Sequence, residues 1–110
     1  MKDYIIDKAS WHTQRPRNYE FDKTRIYKYL RSLIDYLTAN GLLNNPILAA
    51  DQEVTDDTQI MASDLTEEGY EFIKVVYGKS KWIDMVVEGK KSPDDYKLLD
   101  KALKKIREPK

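Results

Sequence analysis

The chain has no cysteine, one histidine, and only four glycines and four prolines in 110 residues. Without thiols there is no disulfide framework, no thiolate nucleophile and no cysteine-based zinc site. Few glycines leave no Walker loop, dinucleotide fingerprint or nucleophile elbow, and there is no HExxH pair. No window reaches the apolar length that spans a bilayer. Residues 1–8 alternate charged and apolar side chains where a signal peptide needs an apolar run. The expectation is a chain with no membrane association, placed in the cytoplasm. Internal repeats and low-complexity tracts are also missing.

What is present is 41% apolar residues, 11% aromatic, enough to close one modest core in a single domain over residues 1–110. The net charge is zero, from 19 basic and 19 acidic residues, but the charges are segregated along the chain. Residues 1–31 carry a net +4, and residues 74–110 a net +5. Between them, residues 32–73 hold nine carboxylates (Asp35, Asp51, Glu53, Asp56, Asp57, Asp64, Glu67, Glu68 and Glu71) and no lysine or arginine. Blocks of like charge mark interaction surfaces, or else screen one another within the fold.

Periodicity gives a mainly α fold with three principal helices, at about 22–40, 65–88 and 93–107, and at most a small two-stranded β element. Ile26, Leu30, Leu33, Ile34 and Leu37 follow amphipathic spacing. Gly41 provides a left-handed end to that helix, with Leu42 folding back, while Tyr27, Tyr29 and Tyr36 add aromatic area at its flanks. In 65–88 the polar residues Glu71, Lys74, Gly78, Lys81, Asp84 and Glu88 recur at steps of three or four, leaving one narrow wet stripe. Unbroken, this helix would run about 35 Å, so a break is expected near 78–80. Its N-cap is Asp64 or Thr66, and Gly89-Lys90-Lys91 ends it. Ser92 followed by Pro93, Asp94 and Asp95 signals the start of the last helix. Its stripe is Leu99, Ala102, Leu103 and Ile106. Residues 58–63 are the best strand candidate, with Tyr4 to Asp7 as a possible partner. Trp82 is expected in or near the core.

Chemistry-bearing constellations are few. His12 has no evident nucleophile or carboxylate oriented to it, which favours an ordinary polar or packing role. Trp11, His12, Arg15, Arg17 and Tyr19 mix bases with aromatics as single-strand nucleic-acid sites do, but belong to no recognised module. The carboxylates Asp51, Glu53, Asp56 and Asp57 lack the fixed ligand spacing and the turn glycine of a calcium loop. No metal, cofactor or catalytic residue is assigned, and the chain is expected not to be an enzyme.

Two resemblances bear on function. Residues 26–43, ending Leu37-Thr38-Ala39-Asn40-Gly41-Leu42-Leu43, and the later Leu65-Thr66-Glu67-Glu68-Gly69 are similar to the recognition and post-wing helices of winged-helix DNA-binding regulators. Too few residues precede the first helix for that fold, and the would-be wing, residues 51–57, is acidic where phosphates demand positive charge. The likeness is read as shared helix-ending and helix-starting chemistry. A looser resemblance spans more of the chain. Tyr4-Ile5-Ile6-Asp7, Ala9-Ser10-Trp11-His12, the Asp64 to Gly69 start and the closing Lys101-Ala102-Leu103-Lys104-Lys105-Ile106 together resemble short bacterial proteins, some of which are immunity partners in toxin loci.

The resulting expectation is a non-enzymatic binding protein, an immunity protein neutralising a basic, nuclease-like toxin. Asp51, Glu53, Asp56, Asp57, Glu67 and Glu68 would steer the partner, while Met61, Tyr70 and Ile47 would hold it. The alternative is a winged-helix-like regulator binding nucleic acid through Arg15, Arg17, Lys23, Arg25, Lys28 and Arg31; nucleic acid is the less favoured partner.

Overall fold

The computed structural model describes residues 3–9, 19–49 and 51–108, with residues 19–24 described by their backbone alone. In order, the elements are β1 (Ile5–Lys8), α1 (Tyr19–Ala39), β2 (Gln59–Met61), a 3-10 turn (Ala62–Asp64), α2 (Glu67–Gly78), α3 (Trp82–Val87) and α4 (Lys97–Arg107). The fold is mainly helical, with one two-stranded antiparallel sheet in which β1 pairs with β2. The sheet's register runs Ile5 to Met61, Asp7 to Ile60 and Lys8 to Gln59, with an irregularity between Ile5 and Asp7.

The apolar spacing in α1 does what it predicts: Ile26, Leu30, Leu33, Ile34 and Leu37 are all buried. The tyrosines contribute more than flanking area. Tyr29 is fully enclosed and Tyr36 nearly so, which their hydroxyls allow because each donates to a carboxylate, Tyr29 to Asp7 Oδ2 at 2.8 Å and Tyr36 to Asp100 Oδ1 at 2.6 Å. Tyr36 stacks on Phe72 of α2 at 5.4 Å and meets Tyr96 edge-on at 5.1 Å. One ring thereby joins three parts of the chain.

α1 ends in a Schellman motif. Gly41 has φ +68, the Leu42 amide donates to Leu37 O at 2.9 Å, and the Gly41 amide donates to Thr38 O at 3.3 Å. Leu42 is buried as it turns back. It meets the start of α2, where Thr66 is the N-cap and its Oγ1 accepts from the Gly69 amide at 2.9 Å. Asp64 instead accepts from the Met61 amide at 3.1 Å, closing the 3-10 turn.

The expected break in the second helical region lies at residues 79–81. Val75 O accepts from the amides of both Lys79 and Ser80, at 2.8 and 3.0 Å, and Ser80 Oγ accepts from the Trp82 amide at 3.1 Å. Glu71, Lys74, Gly78, Lys81, Asp84 and Glu88 are all exposed, as the polar stripe requires. α3 ends in a second Schellman motif at Gly89, φ +79, with the Lys90 amide donating to Met85 O at 2.8 Å.

α4 begins later than the Ser92-Pro93 signal suggests. Residues 92–95 form a turn, the Asp95 amide donating to Ser92 O at 3.0 Å. The turn is tied down from outside: buried Trp82 donates through Nε1 to Asp95 O at 2.8 Å, and Lys91 Nζ lies 3.0 Å from Asp95 Oδ2. The Lys91 ammonium also holds the Asp95 carboxyl below the usual carboxylate range. A backbone anchored in this way starts its helix at Lys97.

Candidate functional site

Residues 44–58 link α1 to β2 and carry the densest run of carboxylates. Arg31 fixes this link to α1: its guanidinium donates to Ala49 O at 3.1 Å and to Gln52 O, while Nε lies 3.2 Å from Asp35 Oδ2. The link also closes on itself, the Gln52 amide donating to Ala49 O and the Ala49 amide to Gln52 Oε1, each at 3.1 Å. Buried Val54 and Thr58 anchor it below. Thr55 and Thr58 close a β-turn, the Thr58 amide donating to Thr55 O at 3.0 Å and the Thr55 amide to Thr58 Oγ1 at 2.9 Å. Asp56 and Asp57 therefore occupy the turn's two central corners.

The nine carboxylates of the acidic block separate into engaged and free groups. Asp35 pairs with Arg31, Glu71 with Lys74, and Glu68 with Arg107 at 2.6 Å. Asp56 accepts from the Tyr27 hydroxyl, and Asp64 caps the 3-10 turn. Asp51, Glu53, Asp57 and Glu67 are exposed and form no ion pair among the described residues. Only part of the sequence-level negative block is thus open to a partner, and three of its four open members lie on the Arg31-anchored link.

Two adjoining concavities flank this link and share Gln52. The larger, about 810 Å³, lies between α1, Asp51, Glu53 and the turn at Pro93 and Asp94, with Lys28 and Arg31 in its wall. The smaller, about 290 Å³, brings Asp57 and Asp64 together with Ile47 and Met61. Of the residues expected to form one partner surface, Asp51 and Glu53 line the first, and Asp57 and Met61 the second. Glu67 projects from the first turn of α2. Glu68 is engaged with Arg107, which also donates to Asn40 O at 3.2 Å.

Beside Met61 lies a feature that sequence reading missed. Tyr4 O accepts from the Ala62 amide at 2.9 Å, and the Tyr4 ring, 48% exposed, meets Tyr70 edge-on at 6.5 Å. The two hydroxyls are hydrogen-bonded. Asp3 is fixed alongside. It accepts from the Ser63 hydroxyl and, at 2.9 Å, from the Ser63 amide, and these bonds hold its carboxyl below the usual range. Asp3, Tyr4, Met61 and Tyr70 thus combine a fixed negative charge with aromatic and thioether surface. In the sequence Tyr4 stands out through its place in a strand candidate opposite residues 58–63, which does not mark it as exposed aromatic surface.

A second polar constellation is buried. Asp7 is 5% exposed. Its Oδ2 accepts from both the Tyr29 and Tyr77 hydroxyls at 2.8 Å, and its Oδ1 accepts from the Lys8 amide at 2.8 Å. Tyr77 leaves 39% of its surface exposed, yet its hydroxyl is turned inward onto Asp7. Burial first, then the Asp7 charge, pushes both tyrosine hydroxyls well above their ordinary range.

Trp11, His12, Arg15 and Arg17 lie outside the described residues, as do the side chains of Tyr19 and Lys23. Of the other bases named for nucleic-acid binding, Arg25 donates to Val87 O at 2.7 Å and Arg31 holds the acidic link. Among the described residues no cluster of three or more histidine, aspartate or glutamate side chains is placed to hold a metal ion, and no helix is long and apolar enough to cross a membrane. Comparison with family models, curated proteins and solved structures gives no match to this chain.

Proposed function

We propose that this chain is a non-enzymatic, cytoplasmic binding protein that captures a basic protein partner, a nuclease-like toxin domain of the kind countered by bacterial immunity proteins. The observation that carries this reading is the Arg31-anchored link, along which Asp51, Glu53 and Asp57 are exposed and form no ion pair among the described residues, with Asp57 sharing a concavity with Met61 and Ile47. Enzymes that act on nucleic acid present a positive cleft to phosphates. A fixed negative surface accelerates encounter with such a cleft, whereas buried aromatic and apolar contacts set how long the complex lasts. Here Asp51, Glu53, Asp57 and Glu67 steer, while Tyr4, Met61 and Tyr70 hold. Because Arg31 already ties Ala49 and Gln52 to α1, less conformational entropy is lost there on binding.

The test is capture from the native cell with the tagged chain, followed by binding kinetics on the captured protein. The triple variant Asp51→Lys, Glu53→Lys, Asp57→Lys leaves the internal ion pairs intact. It is expected to slow association by about tenfold or more at low salt and much less at high salt, with dissociation little changed. An association rate equal to that of the wild type at low salt would remove this surface from the reading.

A further inference from the structure

A groove of about 380 Å³, sharing no residue with the two concavities beside the acidic link, opens where α2 breaks into α3 and both face α4. Its floor is apolar, with Val75, Met85 and Leu98 each half-buried. Its rim is cationic: Lys79 and Lys81 come from the break, and Lys101 and Lys105, one helical turn apart, come from α4. None of these four lysines forms an ion pair among the described residues, and no carboxylate lines the groove. The break brings two of the four lysines to the edge. An unbroken helix would wind residues 79–81 on past α4, whereas here Val75 O gathers the amides of Lys79 and Ser80 and the chain starts a new helix at Trp82.

We infer that this groove binds an acidic peptide segment of a partner protein, one that seats apolar side chains on Val75, Met85 and Leu98 and flanks them with carboxylates for the four lysines. Charge complementarity selects the sign of the occupant, since bringing a second cationic surface to these four ammonium groups is repulsive at every approach. The floor selects its apolar character. Lysine is a point charge that serves any anion, but an apolar, concave floor is of no use to a phosphodiester chain. The lining also offers neither the aromatic stacking platforms nor the arginine forks that nucleic-acid grooves use. A membrane surface requires protruding apolar side chains; these lie below a lysine rim.

The probe is a fluorescein-labelled peptide of alternating glutamate and leucine, titrated at physiological salt with the amide resonances of the chain followed by NMR. Expected is saturable binding, with shifts concentrated at Val75, Met85, Leu98 and Lys105. It should weaken at least about fivefold in the Lys101→Glu, Lys105→Glu variant, whose exposed positions leave the thermal midpoint unchanged. A glutamate–alanine peptide should bind more weakly, and a lysine–leucine peptide not at all. The Asp51, Glu53 and Asp57 triple reversal should bind the probe as the wild type does, so the groove and the acidic surface stand or fall separately. The inference is overturned by any of four results: no saturable binding, shifts centred elsewhere, equal binding by the double variant, or tighter binding of single-stranded DNA or anionic vesicles than of the peptide. A defined dimer that forms at the same salt and is lost in the double variant also overturns it, because a second copy would then be the occupant.

Discussion

At Gly69 the first turn of α2 passes close against the turn that ends α1. A Cβ there would lie 2.2 Å from Leu42 O, a backbone atom that cannot swing aside. Gly69→Ala forces the Schellman end of α1 away from the start of α2, and is expected to cost about 1–3 kcal/mol, read as a lower urea midpoint at unchanged slope. The Asp7 pocket makes a different prediction, in pH. The Tyr29 and Tyr77 hydroxyls are raised above the value of 10.0 that they take in the unfolded chain. Above that value the unfolded chain releases protons that the folded one retains. Their contribution is therefore fully present below about pH 10 and declines as pH rises towards their folded values. Denaturation midpoints followed from about pH 8 upward should fall once pH 10 is passed, and Tyr77→Phe should flatten that fall. The same variant should cost about 1 kcal/mol near neutrality, since Asp7 loses one of its donors.

At the scale of elements, the caps carry local predictions. Gly41→Ala meets no atom, so its cost is the left-handed backbone alone, about 1–2 kcal/mol. Thr66→Ala removes the acceptor for the Gly69 amide and should cost about 1 kcal/mol, both measured by chemical denaturation. These caps were legible in the sequence because their chemistry is local: a glycine at the end of one apolar pattern, a threonine before the next. The strand pair was legible in outline, residues 58–63 as the best strand candidate and Tyr4 to Asp7 as its possible partner, where β2 and β1 pair in the structure. The break at 79–81 was located correctly but for an incomplete reason. Length does not force it, since α1 runs 21 residues without interruption; the Ser80 cap and the bonds to Val75 O produce it. The start of α4 was misplaced because Ser92 and Pro93 carry the local signal, whereas Trp82 and Lys91 hold that backbone in a turn from a distance in sequence. Asp7 was unreadable for a similar reason: its partners are 22 and 70 residues away.

At the scale of the whole molecule, charge is divided more finely than the sequence blocks suggest. Arg107 from the basic C-terminal third neutralises Glu68, while Arg31 from the basic N-terminal third ties down the backbone at Ala49 and Gln52 and leaves Asp51, Glu53 and Asp57 without an ion pair among the described residues. The candidate surface was therefore half legible: composition gave its sign, but only the fold separates the steering carboxylates from those already matched and adds Tyr4 and Asp3. Arg31 has two opposed effects, and Arg31→Gln separates them. Removing a cation from the wall of the larger concavity makes the surface more negative, so association with a basic partner at low salt should be undiminished or faster. Removing the clamp frees Ala49 and Gln52, whose ordering must then accompany binding, so dissociation should accelerate, by about tenfold for 1.4 kcal/mol of lost preorganisation. Faster hydrogen exchange across 51–58, with a small change in global stability, would locate the loosened segment. Slower association with unchanged dissociation would mean instead that Arg31 itself meets the partner.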